Sequence, residues 1–358
     1  SYASEIRMPF YGEGLDGLLR ARSKQLSGIV NGIDYNVYNP KTDKDIAVNY
    51  SVEDAIKAKA ANKTALQKEL GLEENPDAFM LGIVSRLTDQ KGLDLVECVL
   101  DQICAEDVQL VVLGTGEGKY QDMFTYYSRK YPERVSANIF YSEALSHRIY
   151  ASCDAFLMPS LFEPCGLSQL MSLRYGTLPI VRETGGLRDT VTPYNEVDGT
   201  GTGFSFTNYN AHEMLAIIRY AKKTYFNDRK AWNEMVLRAM KQDFSWDASA
   251  REYEKLYDGL IEEEERRKEA IRLQQAREAA EAALKEAEKA LELAKRAEEK
   301  AIRKFSGIED EPEDEKAEIS KAEEIDETPE AAPESEEVTE VLETPETPEE
   351  AEETAVEE

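Results

Sequence analysis

Two cations five positions apart, Arg86 and Lys91, stand in Ser85-Arg86-Leu87-Thr88-Asp89-Gln90-Lys91-Gly92, between an apolar run and a helical pattern. At the carboxyl end of a buried strand, such a pair and the free amides of a helix start can together hold a diphosphate. By themselves the same cations suit a solvated loop equally well. A carboxylate follows at Glu163, in Ser160-Leu161-Phe162-Glu163-Pro164-Cys165-Gly166-Leu167. There the amides near Gly166 and Leu167 can face an anion while the carboxylate accepts hydrogen bonds from hydroxyl groups. An acid resting on a helix dipole is the plainer alternative. Cys165 reads as apolar filler rather than a reactive thiol. The paired glycines of Thr184-Gly185-Gly186-Leu187 allow either close backbone approach to a ligand or an ordinary turn.

A glycine loop, Gly114-Thr115-Gly116-Glu117-Gly118-Lys119, invites a dinucleotide or P-loop reading, and both fail. The first needs Gly where Lys119 stands; the second needs Ser or Thr where Tyr120 stands. A glycine loop leading into a helix remains. His147 and His212 are the only histidines, and neither falls in a metal-ligand spacing, so no metal or other cofactor is expected. No serine occupies a G-x-S-x-G elbow.

These residues are spaced by a repeating pattern. Apolar, β-branched runs at 79–84, 108–113, 137–141, 154–159 and 178–181 alternate with helical periodicity at 93–103, 118–130, 144–152 and 167–175. Continuous apolar strands separated by helices predict an α/β fold, a doubly wound parallel sheet covered on both faces. In that architecture ligands sit at the carboxyl ends of the strands, where Arg86, Lys91, Glu163 and Thr184 fall. A helix over 16–25 precedes an expected strand at 27–30. Residues 52–70 read as a mostly polar surface helix inserted before the sheet. Helices at 211–224, with Asn210 as its cap, 229–241 and 246–260 close the body.

The net charge of −29 comes from 43 Lys+Arg against 72 Asp+Glu, and it is concentrated at one end. Residues 305–358 carry 24 acids and 2 lysines, whereas residues 261–304 carry 12 of each sign. This balance argues against nucleic acid and against an anionic membrane surface as partners. No apolar run reaches the roughly 20 residues that span a bilayer. The four cysteines show no paired spacing, which with the missing leader pattern fits the reducing cytoplasm. A first residue other than Met suggests a partial chain or a processed terminus.

Over 261–305 an Ala-rich, charged helix is expected, with Glu262 and Glu264 poised for Arg266 and Lys268 one turn on. Leu273, Ala276, Ala280, Ala283, Ala287, Ala290, Ala294, Ala297 and Ala301 form a heptad seam. It fits a single solvated helix or helix-mediated self-association as a coiled coil. Residues 306–358, rich in Glu, Pro and Thr, have little to bury and are expected to be a disordered acidic tail.

In order, the motifs resemble the ADP-glucose-dependent starch and glycogen synthases of plants and bacteria. The match runs through Tyr11-Gly12-Glu13-Gly14-Leu15-Asp16-Gly17, Val30-Asn31-Gly32-Ile33-Asp34, the loop at 85–92 and Glu143-Ala144-Leu145-Ser146-His147-Arg148. It continues through 162–167, Tyr175-Gly176-Thr177-Leu178-Pro179, 184–187 and Asp243-Phe244-Ser245-Trp246. The resemblance implies the two-Rossmann-domain GT-B fold. Residues 1–30 would end an N-terminal domain and its crossover, and 31–260 would be the sugar-nucleotide-binding domain. It also implies a retaining transfer of glucose from ADP-glucose to an α-1,4-glucan acceptor. Arg86 and Lys91 would hold the diphosphate and Glu163 the donor glucose. Cys165, Gly166 and Leu167 would offer amides, Tyr141 would stack on adenine, and Thr184 with Gly185 would line the pocket beside the loop of Gly114 and Gly116. Met171 stands where many retaining relatives carry a second acid. The family's N-terminal lysine-TGGL motif is missing from the sequence, so the chain alone is expected to be inactive. Two rival readings are a related transferase with another sugar nucleotide and a non-catalytic scaffold working through the helix and tail.

Overall fold

The computed structural model describes residues 1–307 and places six strands in one sheet. They are β1 (Phe79–Val84), β2 (Val108–Leu113), β3 (Val135–Asn138), β4 (Ala155–Met158), β5 (Leu178–Arg182) and β6 (Phe204–Phe206). All neighbours are parallel, in the order β3-β2-β1-β4-β5-β6. β1 and β2 run in full register from Phe79 opposite Val108 to Val84 opposite Leu113. The direction of winding reverses between β1 and β4, and such a reversal opens a crevice at the strands' carboxyl ends. The loops carrying Arg86 and Glu163 leave these two strands.

The helices are α1 (Tyr2–Glu5), α2 (Asp16–Ala21), α3 (Ala55–Leu70), α4 (Leu93–Ala105), α5 (Gly118–Lys130) and α6 (Glu143–Ser152). They continue with α7 (Ser168–Arg174), α8 (Gly185–Thr190), α9 (Ala211–Asn227), α10 (Arg229–Met240) and α11 (Trp246–Phe305). On α4, Leu93, Val96, Leu100 and Ile103 recur at helical spacing and are buried, which is why this segment covers the sheet. Ser142 and Asn210 start α6 and α9 by accepting hydrogen bonds from the orphan amides of Leu145, and of His212 and Glu213.

Four expectations change. The stretch at 52–70 is no surface insertion. As α3 it packs against α6 and buries Ala55, Ala58, Lys59, Asn62, Lys63, Leu66 and Gln67. A polar face can be buried because its tips find partners. Lys59 donates to the Tyr150 and Ala151 carbonyls and to Thr177, and Lys63 pairs with Asp154 at 2.6 Å. Residues 27–30 form no strand; Ser249 instead donates to the Val30 carbonyl at 2.8 Å. β3 ends at Asn138, which leaves Phe140 and Tyr141 beyond the strand. The helices expected at 246–260 and over 261–305 are not two but one, α11, which runs on to Phe305.

Residues 1–268 form one compact unit, and a second begins at Glu269. In α11, Arg266 pairs with Glu262 at 3.5 Å and Lys268 with Glu264 at 3.7 Å, and Arg296 reaches Glu292 at 3.0 Å. Such exposed pairs each stabilise a helix by only about 0.3–0.5 kcal/mol. Among the described residues no helix is long and apolar enough to cross a membrane. Residues 308–358, which hold most of the acidic tail, lie outside the described residues.

Candidate functional site

At the switch point, β1 delivers Arg86 and β2 delivers Gly114 to a cleft of about 350 Å³. Phe140, Tyr141 and Ser142 form a second wall, and Leu167, Ser168 and Met171 a third. Tyr141 is 85% exposed, an aromatic face left bare beside the cleft. Arg86 is partnered only loosely, donating to Gln90 at 3.4 Å, so most of its guanidinium is available.

Lys91 is placed differently. It ends a 3₁₀ turn, Asp89–Lys91, and its Nζ lies 2.6 Å from Glu163 Oε2. Both side chains are largely buried, at 17% and 8% exposed, and Ser160 also donates to the same carboxylate oxygen at 3.2 Å. The two loops are stitched together by Gln90, whose carbonyl accepts from the Leu161 amide at 2.9 Å and whose side chain donates to the Phe162 carbonyl at 3.4 Å. A cation and a carboxylate, 72 residues apart in sequence, therefore share one point at the ends of β1 and β4.

The segment at 184–187 adjoins this pair. The Gly186 amide donates to the Glu163 carbonyl at 3.0 Å. Gly185 has φ of 44°, and a Cβ there would come within 1.9 Å of that carbonyl oxygen, so only glycine fits. Thr184 and the Gly185 amide are already satisfied by Glu5, whose carboxylate accepts from them at 3.1 and 2.7 Å. Cys165 and Gly166 lie between Glu163 and α7. Burial pushes the Cys165 thiol up, which disfavours its thiolate form. Gly116 serves packing first, because a Cβ would sit 2.2 Å from the Leu87 carbonyl oxygen. Lys119, in the loop whose P-loop reading fails, pairs with Asp89 and Glu117.

Beside the cleft, the loop at 31–50 is fastened through Asp43. Its carboxylate receives Tyr175 and lies 2.7 Å from His147 Nδ1, while Tyr38 stacks on the imidazole at 4.9 Å. Burial alone would raise the Asp43 carboxyl, but the hydrogen bonds from His147 and Tyr175 hold it below the ordinary range. Asp43, Asp45 and His147 bring ligand-type atoms within 4.8 Å of one another, a grouping that sequence spacing cannot reveal. One Asp43 oxygen is already engaged by the imidazole and the phenol, and the other accepts from the Asp45 amide at 2.9 Å. Reading motifs alone also misses Gln90, Phe140 and Glu5, because each acts on residues far away in sequence.

The family described as glycosyl transferases group 1 matches residues 64–236. A glycogen synthase of Lachnospira eligens is 70% identical over 260 residues, which are 73% of this chain and 54% of that protein. A glycogen synthase of Clostridium acetobutylicum is 56% identical over 261 residues, with the same coverage of both chains. The catalytic domain of starch synthase IV from Arabidopsis thaliana, solved bound to ADP and acarbose, superposes with a TM-score of 0.68 at 36% identity. That superposition covers 72% of this chain and 53% of the plant protein. The chain thus spans about half the length of the relatives it matches.

Proposed function

We propose, for a chain that belongs to the group 1 glycosyltransferases and matches the glycogen and starch synthases among them, that residues 31–260 are the sugar-nucleotide-binding half of a retaining glucosyltransferase. Residues 1–30 would close an N-terminal domain and its crossover. The donor is ADP-glucose and the acceptor is the non-reducing end of an α-1,4-glucan. The alanine seam at 273–301 is the surface for any helix-mediated self-association.

The observation that carries this reading is the buried Lys91–Glu163 contact at the switch point, with Arg86 in the adjoining cleft. Transfer breaks the bond between the anomeric carbon and the diphosphate and forms one to an acceptor hydroxyl on the same face of the sugar. Negative charge grows on the departing ADP while positive charge grows on the ring. Arg86 and Lys91 are the cations for the first, and Glu163 is the carboxylate that holds the sugar hydroxyls and faces the second. Tyr141 offers its bare ring to the adenine, and the amides at 165–167 face phosphate or glucose.

Calorimetric titration of the chain with ADP, UDP and GDP tests the donor assignment. ADP is expected to bind with Kd on the order of 10⁻⁴ to 10⁻³ M and more tightly than the other two. A clear preference for UDP or GDP would remove the ADP-glucose reading.

A further inference from the structure

Strand β5 is apolar through Leu178-Pro179-Ile180-Val181 and ends on its one charged residue, Arg182. Its guanidinium acts on the neighbouring loop. No backbone hydrogen bond links two residues within 160–166, the segment that presents Glu163, so the carbonyls there depend on donors from other elements. Arg182 Nη1 donates to the Ser160 carbonyl at 3.3 Å and to the Leu161 carbonyl at 2.7 Å. Gln90 donates to the next carbonyl, that of Phe162, and the Gly186 amide to that of Glu163. Ser160 completes the path, because its hydroxyl donates to Glu163 Oε2 while its carbonyl accepts from Arg182.

This arginine is not a surface cation. It is half-buried, its Nε is buried without a partner, and among the described residues it pairs with no carboxylate. Its other contacts are a long bond from Nη2 to the Tyr11 hydroxyl at 3.4 Å and the Tyr209 ring, 5.6 Å from the guanidinium carbon. A partly desolvated charge that is not neutralised costs free energy. What offsets that cost here is the charge-assisted bonding of two successive carbonyls, which a neutral side chain would hold less firmly.

We propose that Arg182 is a positioning residue of the donor site, setting the Glu163 carboxylate for the sugar of ADP-glucose while the diphosphate contacts stay with Arg86 and Lys91. The separation follows from the loops. Lys91 belongs to the turn after β1, which is closed by its own bonds from the Lys91 amide to Thr88 and from the Gly92 amide to Asp89, and Arg182 touches neither. Loss of the guanidinium thus frees the segment that carries the carboxylate and leaves the cations in place. The inference rests on the reading of Glu163 as the group that holds the donor glucose.

The test is calorimetric titration of the 358-residue chain with ADP-glucose and with ADP, for the wild type, Arg182→Gln, Glu163→Gln and the double variant. Arg182→Gln is expected to weaken ADP-glucose about 10-fold and ADP by less than about 2-fold, and Glu163→Gln should give the same split. The double variant should lose no more than Glu163→Gln alone, since the one residue acts through the other. Retained ADP affinity reports that each variant is folded. Arg182→Lys, which keeps the charge and a donor for the Leu161 carbonyl, should recover most of the loss and serves where Arg182→Gln does not fold. Equal loss of both ligands in the Arg182 variants, losses that add in the double variant, or unchanged ADP-glucose affinity would each overturn the inference and leave the donor reading standing. A Glu163→Gln chain that binds both ligands as the wild type does would strike the donor reading, and this inference with it.

Discussion

Arg86 and Lys91 share a motif and a charge but not an environment, and substitution should separate them. Lys91 neutralises a carboxylate that is 8% exposed, and removing it strands a buried negative charge. Lys91→Ala is therefore expected to lower unfolding free energy by about 3 kcal/mol as well as to weaken ADP binding. Arg86 lies in an open cleft with one long hydrogen bond, so Arg86→Ala should weaken ADP roughly 10-fold and leave stability within about 0.5 kcal/mol. Urea denaturation and calorimetry of the two variants check this, and equal stability would mean that Glu163 does not depend on Lys91. Adding Glu163→Gln to Lys91→Ala should restore part of the loss. Both residues were legible in the sequence because a strand-to-helix junction fixes which end of the sheet a side chain reaches. Glu5, which satisfies the Gly185 amide from 180 residues away, was not, since no local pattern encodes such a contact.

At the scale of elements, α3 shows where periodicity fails. The strands were readable because apolar runs such as Phe-Met-Leu-Gly-Ile-Val have few other uses, and the glycine loop after β2 marked its end. β6, with three residues, is too short to leave a pattern. Leu66 apart, the buried face of α3 is built from Ala, Lys, Asn and Gln, a set that reads as mostly polar until Thr177, Asp154 and the α6 carbonyls are placed opposite it. That burial has a pH signature. Desolvation lowers the Lys59 ammonium to about 7 from 10.5, and Asp154 offsets only part of the effect. Between those values the unfolded chain binds more protons at this site than the folded one, so the Lys59 contribution to stability rises with pH. Comparing the wild type with Lys59→Met by urea denaturation, the stability difference should move in favour of the wild type from about pH 7 to about pH 10. A difference independent of pH would show that Lys59 keeps an ordinary ammonium.

For the whole molecule, the compact unit and the acidic end make separable claims. Residues 309–358 lack aromatic side chains and offer little to bury, so truncation after Ile308 should leave the thermal midpoint and ADP affinity unchanged. Loss of either would show that the acidic segment contributes to the body. The compact unit holds a single sheet and so one wall of a cleft, and residues 1–358 by themselves are expected to bind ADP without adding labelled glucose to glycogen, because excluding water from the reacting centre takes two walls. Robust incorporation would place the complete acceptor machinery within these residues. The uninterrupted helix α11 carries one consequence further. Past Ser249 its side chains are not buried, so its backbone hydrogen bonds are guarded by helix propensity and neighbouring charge pairs rather than by a core. In deuterated solvent, amides along β1 and β4 should be the last to exchange, while those of α11 should lose their protons in a gradient that begins at Phe305 and works back toward Trp246.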